Sequence, residues 1–170
     1  SHPHDLGRLS SLGLVASVQP LHVTDDMVMI DRACGDRARW AYAFRDLLDA
    51  GTVLAFGSDC PVASPNPLWV IHAAVTRQDH EGWPDGGWRP EQRLTAIEAV
   101  AGFTRSAAFA SFMESECGVL EAGKRADIVI VDRDVVTENP RGIPDASVVA
   151  TILDGQVVYR ARRSRPASAA

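Results

Sequence analysis

The 170-residue sequence predicts an α/β fold closed by a short β-rich segment, and three observations carry that prediction. Two short apolar runs, residues 14–18 and 53–56, are separated by a long helical stretch, the grammar of two parallel strands joined by a crossover helix. After about Ser115 the helical periodicity gives way to short runs of strand length. Within that segment, Asp154-Gly155 stands between two apolar runs, the strongest short signal for a hairpin.

The elements follow in order. Leu6, Leu9 and Leu12 at three-residue spacing predict a helix over residues 3–13, ended by Gly13. The run 14–18 is a strand, closed by Gln19-Pro20, and Thr24-Asp25-Asp26 is read as the cap of a following helix. Residues 37–50 are read as one helix, because Trp40, Phe44, Leu47 and Leu48 form a single apolar stripe; Gly51 ends it. Residues 53–56 are the second buried strand, bounded by Gly57-Ser58-Asp59. Pro67 suits the first turn of a helix that carries Leu68, Ile71 and Val75. Residues 78–93 form a long loop whose two tryptophans, Trp83 and Trp88, suggest packing. Thr95 and Glu98 have the spacing of a capping box for a helix with Ile97, Val100 and Ala101 on its apolar face. Gly118 to Lys124 reads as a turn between short strands, residues 127–132 as a strand, and residues 148–159 as the hairpin.

Composition excludes several classes of function. Apolar residues make up 46% of the chain and charged residues 23%, enough for a packed core. No apolar run approaches the ~20 residues of a spanning helix. The net charge is −5, and four of the bases (Arg160, Arg162, Arg163 and Arg165) lie in a tail without acids. A body this acidic is a poor partner for nucleic acid, and the tail has no interleaved aromatic residues. Cys34, Cys60 and Cys117 are odd in number and widely spaced, which argues against a disulfide framework and points to a reducing, cytoplasmic setting.

Asp59 is the most informative residue for chemistry. It follows a buried parallel strand at its carboxyl end, where α/β sheets expose their reactive groups. A carboxylate there can ligate a cation or accept a proton, and it can equally cap the segment that follows. His22 follows the other strand and could face the same mouth, where imidazole can bind metal, polarise a carbonyl or shuttle a proton; a loop histidine without a task is the alternative. His2-Pro-His4 has metal-pair spacing but no strand before it. His72 is read as a packing residue, His80 as a residue of the mouth or of the solvated surface, and Cys60 lacks a histidine at a telling spacing.

The stretch Gly118-Val-Leu-Glu-Ala-Gly-Lys-Arg-Ala-Asp-Ile-Val-Ile-Val-Asp132 resembles the closing stretch of the amidohydrolase superfamily. Gln19-Pro-Leu-His22, Gly57-Ser-Asp-Cys-Pro-Val62, Asn66-Pro67, Ala74-Val-Thr-Arg-Gln-Asp79 and Gly87-Trp-Arg-Pro-Glu-Gln-Arg-Leu94 resemble one branch, the family-3 amidohydrolases, which includes N-substituted formamide deformylases. The resemblance implies an α/β fold that is the C-terminal portion of a (β/α)8 metal-dependent hydrolase barrel, followed by part of a small β-sandwich. On that reading residues 1–113 hold the last βα units, 114–160 the C-terminal strands of a composite sandwich domain, and 161–170 a disordered basic tail.

The implied activity is hydrolysis of a C–N bond in a small-molecule amide, with a divalent metal, zinc being the usual choice. Asp59 would be metal ligand and general base, and His22 and Arg77 would be substrate-binding residues, although an arginine at a helix end more often pairs with a nearby acid. Trp83 and Trp88 would wall the pocket. A barrel needs eight strands. Two are visible here, so the expectation is a fragment that is inactive and metal-free alone. The alternative is a noncatalytic module that associates with itself through exposed strand edges.

Overall fold

The computed structural model describes residues 3–162. His2 of the His-x-His pair, and most of the basic tail, lie outside the described residues.

Helix α1 (Pro3–Ser11) leads into strand β1 (Val15–Val18), and α2 (His22–Cys34) follows. A 3-10 turn over Gly35–Trp40 and a short helix α3 (Phe44–Asp49) return the chain to strand β2 (Val53–Phe56). Strands β1 and β2 pair in parallel, with Val15 opposite Val53 and Val18 opposite Phe56. The Gly57 amide extends this ladder by donating to the Val18 carbonyl (3.0 Å), so the two chains leave the sheet side by side.

Helix α4 (Pro67–Thr76) starts as its sequence dictates: the Asn66 side chain accepts from the Leu68 amide and Pro67 fills the first turn. Apart from Trp69, every residue of α4 from Leu68 onward is buried, which matches a helix apolar on nearly all sides. Helix α5 (Ala96–Phe103) carries the full capping box, with Thr95 and Glu98 bonding reciprocally, and α6 (Arg105–Ala110) follows directly.

Strands β3 (Ile128–Val131), β4 (Val148–Leu153) and β5 (Gln156–Arg160) form a separate antiparallel sheet in chain order. The Asp154-Gly155 turn joins β4 to β5 with positive φ at both residues (51° and 77°), as a tight hairpin requires. A 3-10 turn over Pro140–Asp145 packs on α4 and inserts Ile143, 2% exposed, into the main core beside Val23, Met27, Phe44 and Val70.

Four expectations are corrected. The helix after β1 begins at His22, and Thr24 lies within its first turn, donating its hydroxyl back to the Leu21 carbonyl (2.8 Å). Residues 37–50 are not one helix. Tyr42 has φ of 50° and breaks the run; its hydroxyl donates to Asp26 (2.5 Å), and its carbonyl accepts from Arg77 (3.1 Å). Phe44 and Leu47 still bury the predicted stripe. On α5 the buried face is Ala96, Ala99 and Gly102, and Ile97 is exposed, because Gly102 lets the helix approach the Phe56 ring. No strand precedes β3 in residues 118–127, where the Arg125 amide bonds instead to the Glu116 carbonyl (2.8 Å).

Candidate functional site

The parallel pair places both sequence-predicted residues at one end of the sheet. Asp59 stands three residues past Phe56 and His22 four past Val18, and the two strands are in register. Asp59 adopts a left-handed conformation (φ 57°), which aspartate tolerates better than most residues. Its carbonyl accepts from the Val62 amide (2.8 Å), and its side chain is exposed. His22 opens α2, with its amide bonded to the Gln19 carbonyl (3.1 Å). Its Nε2 is buried without a hydrogen-bond partner. Among the described residues no group of three or more His, Cys, Asp or Glu side chains is placed to hold a metal ion.

Arg77 is completely buried. It ends α4 with φ of 60°, donates through Nε to the Trp88 carbonyl (3.0 Å) and through Nη1 to the Tyr42 carbonyl, and lies over the rings of Phe44 and Trp88. Burial pulls its guanidinium down to about 10, so it stays charged at neutral pH. It meets carbonyl oxygens and aromatic faces, with no carboxylate in ion-pair range among the described residues. The long loop is built around this contact, since the Trp88 amide donates in turn to the Arg77 carbonyl (2.8 Å).

Next to the strand ends is a cavity of about 410 Å³, within the usual range for small-molecule sites. Leu21 and Asp25 reach it from the start of α2, Ser64 from the loop after Asp59, Trp69 and His72 from α4, and His80 from the long loop. The expected wall of Trp83 and Trp88 is corrected. Trp88 is in the core, its indole N–H donating to Asp31 (2.9 Å) and its ring covered by Arg77 and Arg89; Trp83 is exposed; neither lines the cavity.

Trp69 supplies the aromatic wall instead, stacked on His80 with ring planes 8° apart. His72, read from the sequence as packing, is 3% exposed, yet its ring forms part of the lining. Burial pushes its pKa down to about 4, with Asp79 opposing and His80 adding to the effect. It is therefore neutral at physiological pH. Trp69 and His72 are three residues apart on one helix, so they share a face; that spacing was the available signal.

A pair of parallel strands with Asp59 and His22 past its carboxyl ends, and a cavity beside them, is the arrangement by which α/β folds expose their functional groups. The chain belongs to the amidohydrolase family, whose pattern matches residues 2–159. It is 39% identical over 159 residues to LONG AFTER FAR-RED 3 of Arabidopsis thaliana, covering 92% of this chain and 27% of that protein. It is 35% identical over 118 residues to the N-substituted formamide deformylase of Arthrobacter pascens, covering 69% of this chain and 21% of the enzyme. The crystal structure of an uncharacterized metal-dependent hydrolase from Pyrococcus horikoshii OT3 superposes with a TM-score of 0.71 at 28% identity, covering 82% of this chain and 28% of that one. The chain thus spans between a fifth and a third of the length of these relatives. No helix among the described residues is long and apolar enough to cross a membrane.

Proposed function

We propose that this chain is the closing part of a metal-dependent amidohydrolase barrel that cleaves C–N bonds in small amides. The observation that carries the proposal is Asp59: an exposed carboxylate just past the end of a buried parallel strand, inside the family match. Asp59 is the base that takes the proton from attacking water. His22, at the end of the adjacent strand, faces the substrate carbonyl. Arg77 serves from a distance by clamping the long loop to Tyr42 and the core.

The described residues do not make a metal centre, since one carboxylate lacks the companion donors a bound cation needs. Asp59 is at most one ligand of a set completed by chain that the relatives have beyond the matched region. No step is therefore assigned to the metal here. Zinc is the ion we would supply first, and the isolated 170 residues are expected to hold none stoichiometrically.

The test uses the complete gene product, loaded with zinc and assayed on N-formyl and N-acyl amides. Asp59→Asn is the informative variant because asparagine also tolerates the left-handed backbone, so the fold is retained. Loss of a general base lowers turnover by about 10²-fold or more. Unchanged turnover would reject the role of Asp59.

A second reading, a noncatalytic self-associating module, is favoured by one observation. Strands β1 and β2 form a two-stranded sheet with unpaired outer edges among the described residues, and Val157, Val158 and Tyr159 of β5 are exposed. Sedimentation of the 170-residue chain decides it, and a monomer at high concentration would refute it.

A further inference from the structure

We propose that Gln78 is a positioning residue: buried beneath the long loop, it holds the turn over residues 79–82 so that His80 stands beside the strand ends as a substrate contact. What His80 touches rests on the amidohydrolase reading; how it is held rests on hydrogen bonds within the chain.

Loops as long as residues 78–93 are usually functional or disordered, and this one is ordered from its base. Gln78 is 4% exposed. Its side-chain NH2 gives one hydrogen to the Gly82 carbonyl (2.6 Å) and the other to the Pro84 carbonyl (2.9 Å). Its own amide donates to the Thr76 hydroxyl (3.2 Å), which ties the glutamine to the end of α4.

The tip of the loop is closed by Asp79. Its Oδ1 accepts from the amides of Glu81 and Trp83 (both 2.9 Å), and its amide donates to the Trp83 carbonyl (2.8 Å). The Gly82 amide donates to the Asp79 carbonyl (3.1 Å), which makes a β-turn with His80 and Glu81 at its centre. His72 holds the same carbonyl from α4, its Nε2 donating over 3.3 Å.

His80 takes no part in these bonds. It is exposed, its ring lies on Trp69 with planes 8° apart, and it faces the same cavity as Ser64 of the loop after Asp59. Every group that fixes it lies within residues 69–88, so the arrangement is complete within this chain. A link between α4 and α5 needs no buried glutamine ordering a turn around one free imidazole. Contact residues are held in this way, on an element made rigid by the partners behind it.

The test is kinetic, on the complete gene product assayed with N-formyl and N-acyl amides. Gln78→Met keeps the length of the side chain and removes both donors. We expect it to raise KM about tenfold with little change in kcat, as loss of a binding contact does. His80→Ala should do the same, and the double variant should be no worse than His80→Ala, because Gln78 acts through His80. A glutamine that only stabilised the fold would lower the urea midpoint and leave KM alone. In the 170-residue chain, NMR reads the positioning directly: the His80 ring protons, shielded by the Trp69 indole in the parent, should move toward the shifts of a free histidine in Gln78→Met. Gln78→Asn, which withdraws the amide by one carbon, carries the test if Gln78→Met fails to fold. Unchanged KM in either single variant, additive effects in the double, or His80 shifts that do not move would overturn the inference. A gene product that hydrolyses no amide would reject the hydrolase reading and with it the contact, and NMR alone would then decide the positioning; hydrolysis with KM unchanged in His80→Ala would keep the hydrolase and reject His80.

Discussion

His72 should make acidification destabilise this protein. Its ring is 3% exposed, on a helix buried almost all round. Burial lowers its pKa from 6.5 to about 4; Asp79 and Asp145 pull the other way and His80 reinforces burial. In the unfolded chain the imidazole takes up a proton near 6.5, and in the folded chain only near 4. Between those values the unfolded state binds more protons, so stability falls as pH falls. The contribution is complete above about pH 6.5 and gone by about pH 4. At about 1.4 kcal/mol per pH unit, the loss is about 3 kcal/mol, a large part of the stability of an ordinary domain. Urea unfolding at pH 7.5, 6.0 and 4.5 measures it, with His72→Leu as the reference in which this term is absent. Other groups also titrate in the window, so the decisive quantity is the difference between the two proteins. The parent should lose about 2.5 kcal/mol more than the variant between pH 7.5 and 4.5. Parallel curves, or a His72 ring that titrates near 6.5 by NMR, would refute the reasoning.

Two further substitutions test the packing that positions the site. Gly102→Ala should destabilise, although alanine gains about 1 kcal/mol of helix propensity, because the new methyl would lie 2.8 Å from the Phe56 ring. Overpacking of that kind costs about 1–3 kcal/mol, so a fall of several degrees in melting temperature is expected, and a rise would contradict the close approach of α5 to β2. Arg77→Met should cost about 2–4 kcal/mol, because it strips donors from the Tyr42 and Trp88 carbonyls and removes two cation–π contacts, while Arg77→Lys keeps the charge but loses the fork that reaches both. Faster hydrogen exchange in residues 78–93 should accompany the loss, and a Met variant as stable as the parent would show that the loop does not depend on the clamp.

The parts of the fold legible in the sequence were those decided by local chemistry. The capping box at Thr95 and Glu98, the Asn66-Pro67 start of α4 and the Asp154-Gly155 hairpin each satisfy backbone groups within a few residues, so spacing suffices. The apolar run of β2 was legible because a strand buried on both faces has little alternative; β1 was legible as an apolar run too, although its residues are only half-buried and Ser17 is exposed. The break at Tyr42 was not. Residues 37–50 carry a sound helical stripe, and the interruption is imposed by partners 16 and 35 positions away: Asp26 on the hydroxyl and Arg77 on the carbonyl. Ile97 failed for a similar reason, because the close approach permitted by Gly102 outweighed the larger side chain.

The site shows the same division more sharply. Strand-end placement of Asp59 and His22 follows from element order, since consecutive parallel strands must point the same way. The roles of Arg77 and His72 depend on what lies opposite them. Arg77 reads as a partner for substrate or for a nearby acid, but the helix it ends is enclosed, and its guanidinium meets Tyr42, Phe44 and Trp88. His72 reads as packing, as its burial bears out, and it also lines the cavity. Helical spacing tells which residues share a face; it does not tell whether that face meets protein or a cavity. The exposed Trp69, one turn before His72 on an otherwise buried helix, marks that opening.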